Sequence, residues 1–79
     1  MRMKVANIAN VDKFMETIDT CQGKIELVIN KESYFNLKSK FSQNAALVKL
    51  LSGEKIGRIE LVTERISDTA KLIEFVMIG

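Results

Sequence analysis

Residues 24–39, KIELVINKESYFNLKS, combine two strand patterns, a polar turn and the start of a helix. In residues 24–30 every second side chain is apolar, which predicts a strand with one face on a core. Residues 30–33 are polar and predict a turn, and residues 34–37 predict a returning strand. The inward positions are Ile25, Leu27 and Ile29 in the first strand and Phe35 and Leu37 in the second. The stretch therefore predicts a β-hairpin that leads directly into a helix.

Residues 38–51 change to helical periodicity, and Ser52-Gly53 predicts the end of that helix. The predicted core side of this helix consists of Phe41, Ala45, Val48 and Leu51, widened by Ala46, Leu47 and Leu50. The helix has more apolar positions than one face needs, so some of them are predicted to meet a partner protein or a second copy. The candidate partner-binding residues are Leu47, Leu50 and Leu51.

Before the hairpin, the chain predicts a strand and a helix. Residues 2–8 alternate weakly and indicate a first strand. Asn10 is a predicted helix cap, and Gln22-Gly23 predicts the helix end because glycine accepts a left-handed backbone. The apolar stripe of this helix is Val11, Phe14, Met15 and Ile18.

After the second helix, the chain predicts one more strand and one more helix. Residues 58–63 alternate again, with Ile59 and Leu61 predicted to be buried. The opposite face, predicted to meet water, carries Glu26, Arg58 and Glu60. Ser67 and Asp68 are predicted caps of the last helix. Its predicted stripe is Ala70, Ile73, Val76 and Met77, broadened by Leu72.

The element order is therefore βαββαβα, which predicts an α+β fold. Each strand has one apolar side, so we expect an open-faced sandwich: a four-stranded antiparallel sheet with three helices on one face. A chain of 79 residues has room for one such domain, residues 1–79.

Composition excludes several classes of function. The formal net charge is only +2, which is too small to predict nucleic-acid binding from charge. No apolar run reaches the length of a membrane helix and no signal peptide is visible, so we expect a cytoplasmic protein without membrane insertion. The chain has no histidine and one cysteine, Cys21, so neither a metal site, a cofactor nor nucleophilic catalysis is predicted. Nucleic-acid binding is not predicted either, because Tyr34 is the one aromatic expected to be exposed and Glu26 and Glu60 would repel phosphates.

The element order and the junction Asn36-Leu37-Lys38-Ser39 resemble the phosphocarrier protein HPr family of the bacterial sugar phosphotransferase system. The resemblance covers about residues 10–76. It also includes the spacing of the helix, Gly23 and the following strand, and the position of the last helix after residues 64–68. It implies the HPr-type sandwich and protein partners in sugar transport or carbon regulation.

The chain departs from that family at the catalytic position. Active phosphocarriers have a G-x-H-x-R-P run between the first strand and first helix, whereas residues 6–12 here read ANIANVD. We therefore expect a degenerate HPr-like protein that cannot carry phosphohistidine and acts as a regulatory, protein-binding module rather than an enzyme.

Ser39 has two compatible interpretations. A serine at this position can cap the second helix. The resemblance also implies that Ser39 is a regulatory phosphorylation site, with Lys38 and Lys40 beside the phosphate at a helix N-terminus.

A ferredoxin-like regulatory domain that binds a small ligand or RNA is the alternative. The strand order separates the two, since it is 1-4-2-3 in an HPr-like sheet and 4-1-3-2 in a ferredoxin-like sheet.

Overall fold

A computed structural model describes residues 1–52 and 57–78 of the chain. It is an α+β structure with an antiparallel sheet and three α-helices, as predicted, but the sheet formed by the described residues has five strands and not the predicted four. Gly53, the predicted end of the second helix, lies outside the described residues. The strands are β1 (Arg2–Ile8), β2 (Ile25–Ile29), β3 (Ser33–Asn36), β4 (Ile59–Thr63) and β5 (Val76–Ile78). The helices are α1 (Val11–Asp19), α2 (Lys40–Leu51) and α3 (Ile66–Leu72), and a 3₁₀ turn spans Ile73–Phe75.

The strands lie side by side in the order β3-β2-β4-β1-β5, and every neighbouring pair is antiparallel. Leu27 of β2 lies opposite Phe35 on one side and opposite Leu61 on the other. The first four strands therefore have the order 1-4-2-3. This differs from the 4-1-3-2 order of a ferredoxin-like sheet.

The core lies between one face of the sheet and the helices. The predicted inward residues of β2 and β4 are buried, and they join side chains from all three helices in one cluster. The members that the helices contribute include Phe14, Ile18, Ala46 and Leu72. Because alternate strand residues point to the same face, the shared core places the three helices on one side of the sheet.

The predicted last helix is too long. It ends at Leu72, and Val76 and Met77 belong to β5, which pairs with the outer edge of β1 through Ile8 opposite Val76. Apolar residues from Ile73 onward fit both a helical and an alternating pattern, so the sequence was ambiguous there. The unpaired edge of β1 resolves the ambiguity, because the strand satisfies backbone groups that a helix would leave exposed.

Two predicted helix ends also need correction. Asn10 caps α1 as predicted, since its Oδ1 accepts from the backbone N–H of Lys13 at 3.4 Å. However, α3 begins at Ile66, so neither Ser67 nor Asp68 is its cap. Gly23 does not have a left-handed backbone. Position 23 has little room for a larger residue, because the side chains of Arg65 and Asp68 lie close to it. A Cβ added there would lie 3.0 Å from Arg65 Cγ.

Candidate protein-binding surface on helix α2

Helix α2 is apolar on more than one side, and the structure shows which side is buried. Ala46 is fully buried and Gln43 nearly so, while Leu47 and Leu50 pack against the core. The opposite side carries large apolar side chains in water. These are Phe41, Val48 and Leu51, which are 85%, 68% and 64% exposed.

The predicted core side of α2 is therefore wrong. Phe41, Ala45, Val48 and Leu51 lie on the exposed side of the helix. Gln43 accounts for the orientation, because its side-chain amide donates to the carbonyl of Leu37 at 3.2 Å and to Asp19 Oδ1 at 3.3 Å. A buried amide needs such partners, and they hold the Gln43 side of the helix inward.

The exposed residues form one continuous surface, here called the α2 stripe: Phe41, Ala45, Val48 and Leu51. Their spacing of three and four residues keeps them on one helix face. Of the three candidate partner-binding residues, only Leu51 belongs to the stripe. Leu47 and Leu50 lie at its inner border, half-buried against the core.

Sequence reasoning missed Phe41 as a surface residue. It placed Val48 on the core side and also within residues 46–51, the segment expected to be exposed. One signal in the sequence could have identified the buried side of α2. On the side opposite Phe41, Gln43 is the one polar residue, and it precedes the small Ala46 by one turn. Glutamine is mostly exposed in proteins, so the number of apolar residues on the Phe41 side decided the prediction instead.

The charges along α2 have one sign. No acidic residue occurs between positions 40 and 51, whereas Lys40 begins the helix and Lys49 lies in its last turn. Lys40 pairs with Asp19 of α1, so its charge is compensated within the described part of the chain. The α2 stripe itself is apolar along its whole length.

Ser39 lies at the N-cap position of α2 but does not cap the helix with its side chain, so that prediction is wrong. Asn36 orders the junction instead. Its backbone carbonyl accepts from the Ser39 N–H at 3.0 Å, and its Oδ1 accepts from the Lys38 N–H at 3.1 Å. The half-buried Ser39 therefore has a fixed backbone and a hydroxyl that the helix does not use.

The two lysines beside Ser39 both contact the end of α1. Lys38 Nζ donates to the carbonyls of Ile18 at 2.9 Å and Cys21 at 2.6 Å. Lys40 Nζ donates to Asp19 Oδ2 at 2.7 Å. The hydrogen bond from Lys40 is the main reason that the pKa of Asp19 is lowered. Cationic groups at a helix C-terminus are stabilising, so these contacts join the end of α1 to the start of α2.

Cys21 lies in this joint and is buried. Burial raises the pKa of its thiol, and its Sγ lies 3.6 Å from the carbonyl of Thr17. A neutral buried thiol is a poor nucleophile.

Residues 1–52 and 57–78 contain neither a candidate metal-binding group nor a candidate membrane-spanning helix. No group of three or more Cys, Asp or Glu side chains is placed to share a metal ion there. None of the helices in that part of the chain combines the length and apolar composition needed to cross a bilayer.

Comparison with protein-family profiles, with curated proteins and with solved structures gives no match to this chain.

Proposed function

We propose that this chain is a degenerate HPr-like protein that binds a partner protein through the α2 stripe, does not carry phosphohistidine and is regulated at Ser39. The kinship is supported by the 1-4-2-3 order of the first four strands and by the strand that runs into α2 at Ser39. The lack of any histidine excludes a phosphohistidine intermediate.

The observation that carries the proposal is the exposure of Phe41, Val48 and Leu51 along one helix face. Three side chains of this size expose on the order of 400 Å² of apolar surface, and contiguous patches of that size mark interaction sites. A stable complex buries about 800 Å² on each partner. The stripe alone therefore fits a transient partner, as expected of a regulatory contact.

The partner we propose is a different protein with an apolar groove. Two copies joined through the stripe would each bury on the order of 400 Å², about half of what a stable complex buries on each partner. A concave groove in another protein can surround Phe41, Val48 and Leu51 on more sides than a second convex helix can.

Phosphorylation of Ser39 would change the joint between α1 and α2. A phosphate dianion there would compete for Lys38 with the carbonyls of Ile18 and Cys21, and for Lys40 with Asp19. The phosphate would thus loosen contacts at the leading end of the helix that bears the α2 stripe.

Photo-crosslinking tests the binding surface. A benzophenone amino acid is placed at position 41 in the stripe or, as a matched control, at position 66, where Ile66 is an exposed apolar residue on α3. We expect one protein to be captured from position 41 and not from position 66. The purified captured protein should bind the Phe41→Ala variant at least tenfold more weakly. A homodimer crosslinked through position 41, or equal binding by Phe41→Ala, would overturn the proposal.

A separate assay tests regulation. The chain and its Ser39→Ala variant are incubated with an HPr-type serine kinase, and intact mass is measured. We expect the mass of one phosphate to be gained by the wild type only. An unchanged wild-type mass, or the same gain in the variant, argues against Ser39 as the switch.

A further inference from the structure

The face of the sheet opposite the helices contains a carboxylate that is buried, although the sequence predicted it to meet water. Glu60 is only 5% exposed. Arg2 Nε donates to its Oε2 at 2.5 Å, and Arg58 Nε lies 3.4 Å from its Oε1. Two arginines therefore cover Glu60. The repulsion between Glu60 and phosphates that was expected on this face is offset by these cations.

The strand register adds a third cation. Lys4 of β1 lies directly opposite Glu60 of β4, and Arg58 precedes Glu60 by two residues, which keeps it on the same face. We call Arg2, Lys4, Arg58 and Glu60 the open-face cluster. Three cations and one carboxylate give it a formal charge of +2. Two further charges act on this cluster, Glu26 on Arg2 and Lys31 on Glu60, and they have opposite signs, so the formal charge stays at +2.

The arginines keep unused donors. Both direct Nε at the carboxylate, and within the described part of the chain neither makes a hydrogen bond to protein through its terminal Nη groups. Both side chains are about half exposed, so these groups are accessible to solvent. Arginine has five donors in a planar fork, and the Nε bond to Glu60 restricts the orientation of the Arg2 fork. Arg58 Nε and Glu60 Oε1 lie 3.4 Å apart, and neither of these buried atoms makes a hydrogen bond.

Glu60 remains ionised at neutral pH. The hydrogen bond from Arg2 is the main reason that the pKa of its carboxyl is lowered, and charge interactions with Arg2, Arg58 and Lys31 act in the same direction. Burial opposes this shift but does not reverse it. The carboxylate therefore stays available to orient the guanidinium group of Arg2.

We propose that the open-face cluster binds a phosphate-type oxyanion, held by the free guanidinium donors of Arg2 and Arg58 and by the ammonium of Lys4. A phosphate dianion matches the excess of two positive charges, which a single carboxylate does not. The guanidinium fork fits two oxygens of one phosphate, while lysine adds a point charge. This site lies on the sheet face opposite the helices, so it is distinct from the surface that α2 presents.

An NMR titration of the intact chain tests the site, with inorganic phosphate as the probe and sodium chloride at matched ionic strength as the reference. We expect saturable amide shifts at residues 2–4 and 58–60, with half-saturation at about 1 mM. Glycerol phosphate in a parallel titration distinguishes a phosphate monoester from free phosphate. Tighter binding identifies the monoester as the preferred form, and equal binding identifies the phosphate group alone as the ligand.

Charge-removing variants separate the site from general attraction to a basic protein. Arg58→Gln and Lys4→Gln should each weaken phosphate binding about fivefold to tenfold, while Arg58→Lys should weaken it less. Lys13→Gln removes the same charge from the exposed face of α1 and should leave binding unchanged. Amide spectra of the variants establish that each remains folded.

Several results would overturn the proposal. One is a set of shifts that rise linearly and equal those caused by chloride. The others are unchanged affinity in both Arg58→Gln and Lys4→Gln, or an equal loss in Lys13→Gln.

Discussion

The carboxylate of Asp68 accepts a hydrogen bond from the backbone N–H of Gly23 at 2.8 Å, across 45 residues of sequence. Its second oxygen accepts from the N–H of Gln22 at 3.2 Å. Asp68 and Gly23 are both buried, so the N–H of Gly23 depends on this carboxylate for a partner. One side chain of α3 thus fixes the connection between α1 and β2.

Loss of this carboxylate should destabilise the fold. Asp68→Ala leaves the N–H groups of Gln22 and Gly23 without their acceptor, and we expect the Tm to fall by roughly 5–10 °C. Thermal unfolding followed by circular dichroism measures the change. Asp12→Ala removes a carboxylate from the exposed first turn of α1 and serves as the control. A Tm loss for Asp68→Ala no larger than for Asp12→Ala would contradict the structural role.

Acid should reduce the stability that Asp68 provides. Its pKa is lowered from 3.8, first by the hydrogen bond from Gly23 and further by that from Gln22. Between the lowered pKa and about 3.8 the unfolded chain binds more protons than the folded one, so the free energy of unfolding decreases as pH falls. The difference in stability between wild type and Asp68→Asn should therefore be full above pH about 5 and should narrow toward pH 2. Urea unfolding at several pH values measures it, and a difference that is constant with pH would refute the assignment.

The two lysines that flank Ser39 should contribute unequally. Lys38→Met removes the donor to two carbonyls at the end of α1, and we expect a loss of about 1 kcal/mol in the free energy of unfolding. Lys40→Met breaks an exposed ion pair with Asp19 and should have a much smaller effect, which added salt removes. Urea unfolding with and without salt compares them. Equal losses in the two variants would show that Lys38 acts only as a surface charge.

The two sides of α2 should respond differently to truncation. Phe41→Ala should change the free energy of unfolding by less than about 0.5 kcal/mol, because the side chain is in water. Leu50→Ala removes packing against the core and should cost about 1–2 kcal/mol. Chemical unfolding of both variants is the measurement. A large loss for Phe41→Ala would mean that the stripe is packed within the fold.

The sequence predicted best those elements in which the apolar residues follow a single period, either that of a strand or that of a helix. Residues 24–30 alternate, and Ile25, Leu27 and Ile29 are indeed buried in β2. The stripe Phe14, Met15 and Ile18 predicted the buried face of α1 for the same reason. Local pattern sufficed because no distant contact competed with it.

The errors occur where a distant partner decides the outcome. Glu60 is buried because Arg2, 58 residues away in sequence, covers it. Val76 joins β5 because Ile8 is its neighbour in the sheet. Neither of these long-range contacts leaves a periodic signal in the sequence.

Helix α2 has apolar residues on two opposite sides, so the burial of apolar surface does not by itself determine which side faces the core. The side-chain amide of Gln43 determines which side is buried, because it reaches both Leu37 and Asp19 in only one rotation of the helix about its axis. One buried polar side chain thus fixes the rotation of the helix about its axis, and as a result Phe41, rather than Ala46, faces outward.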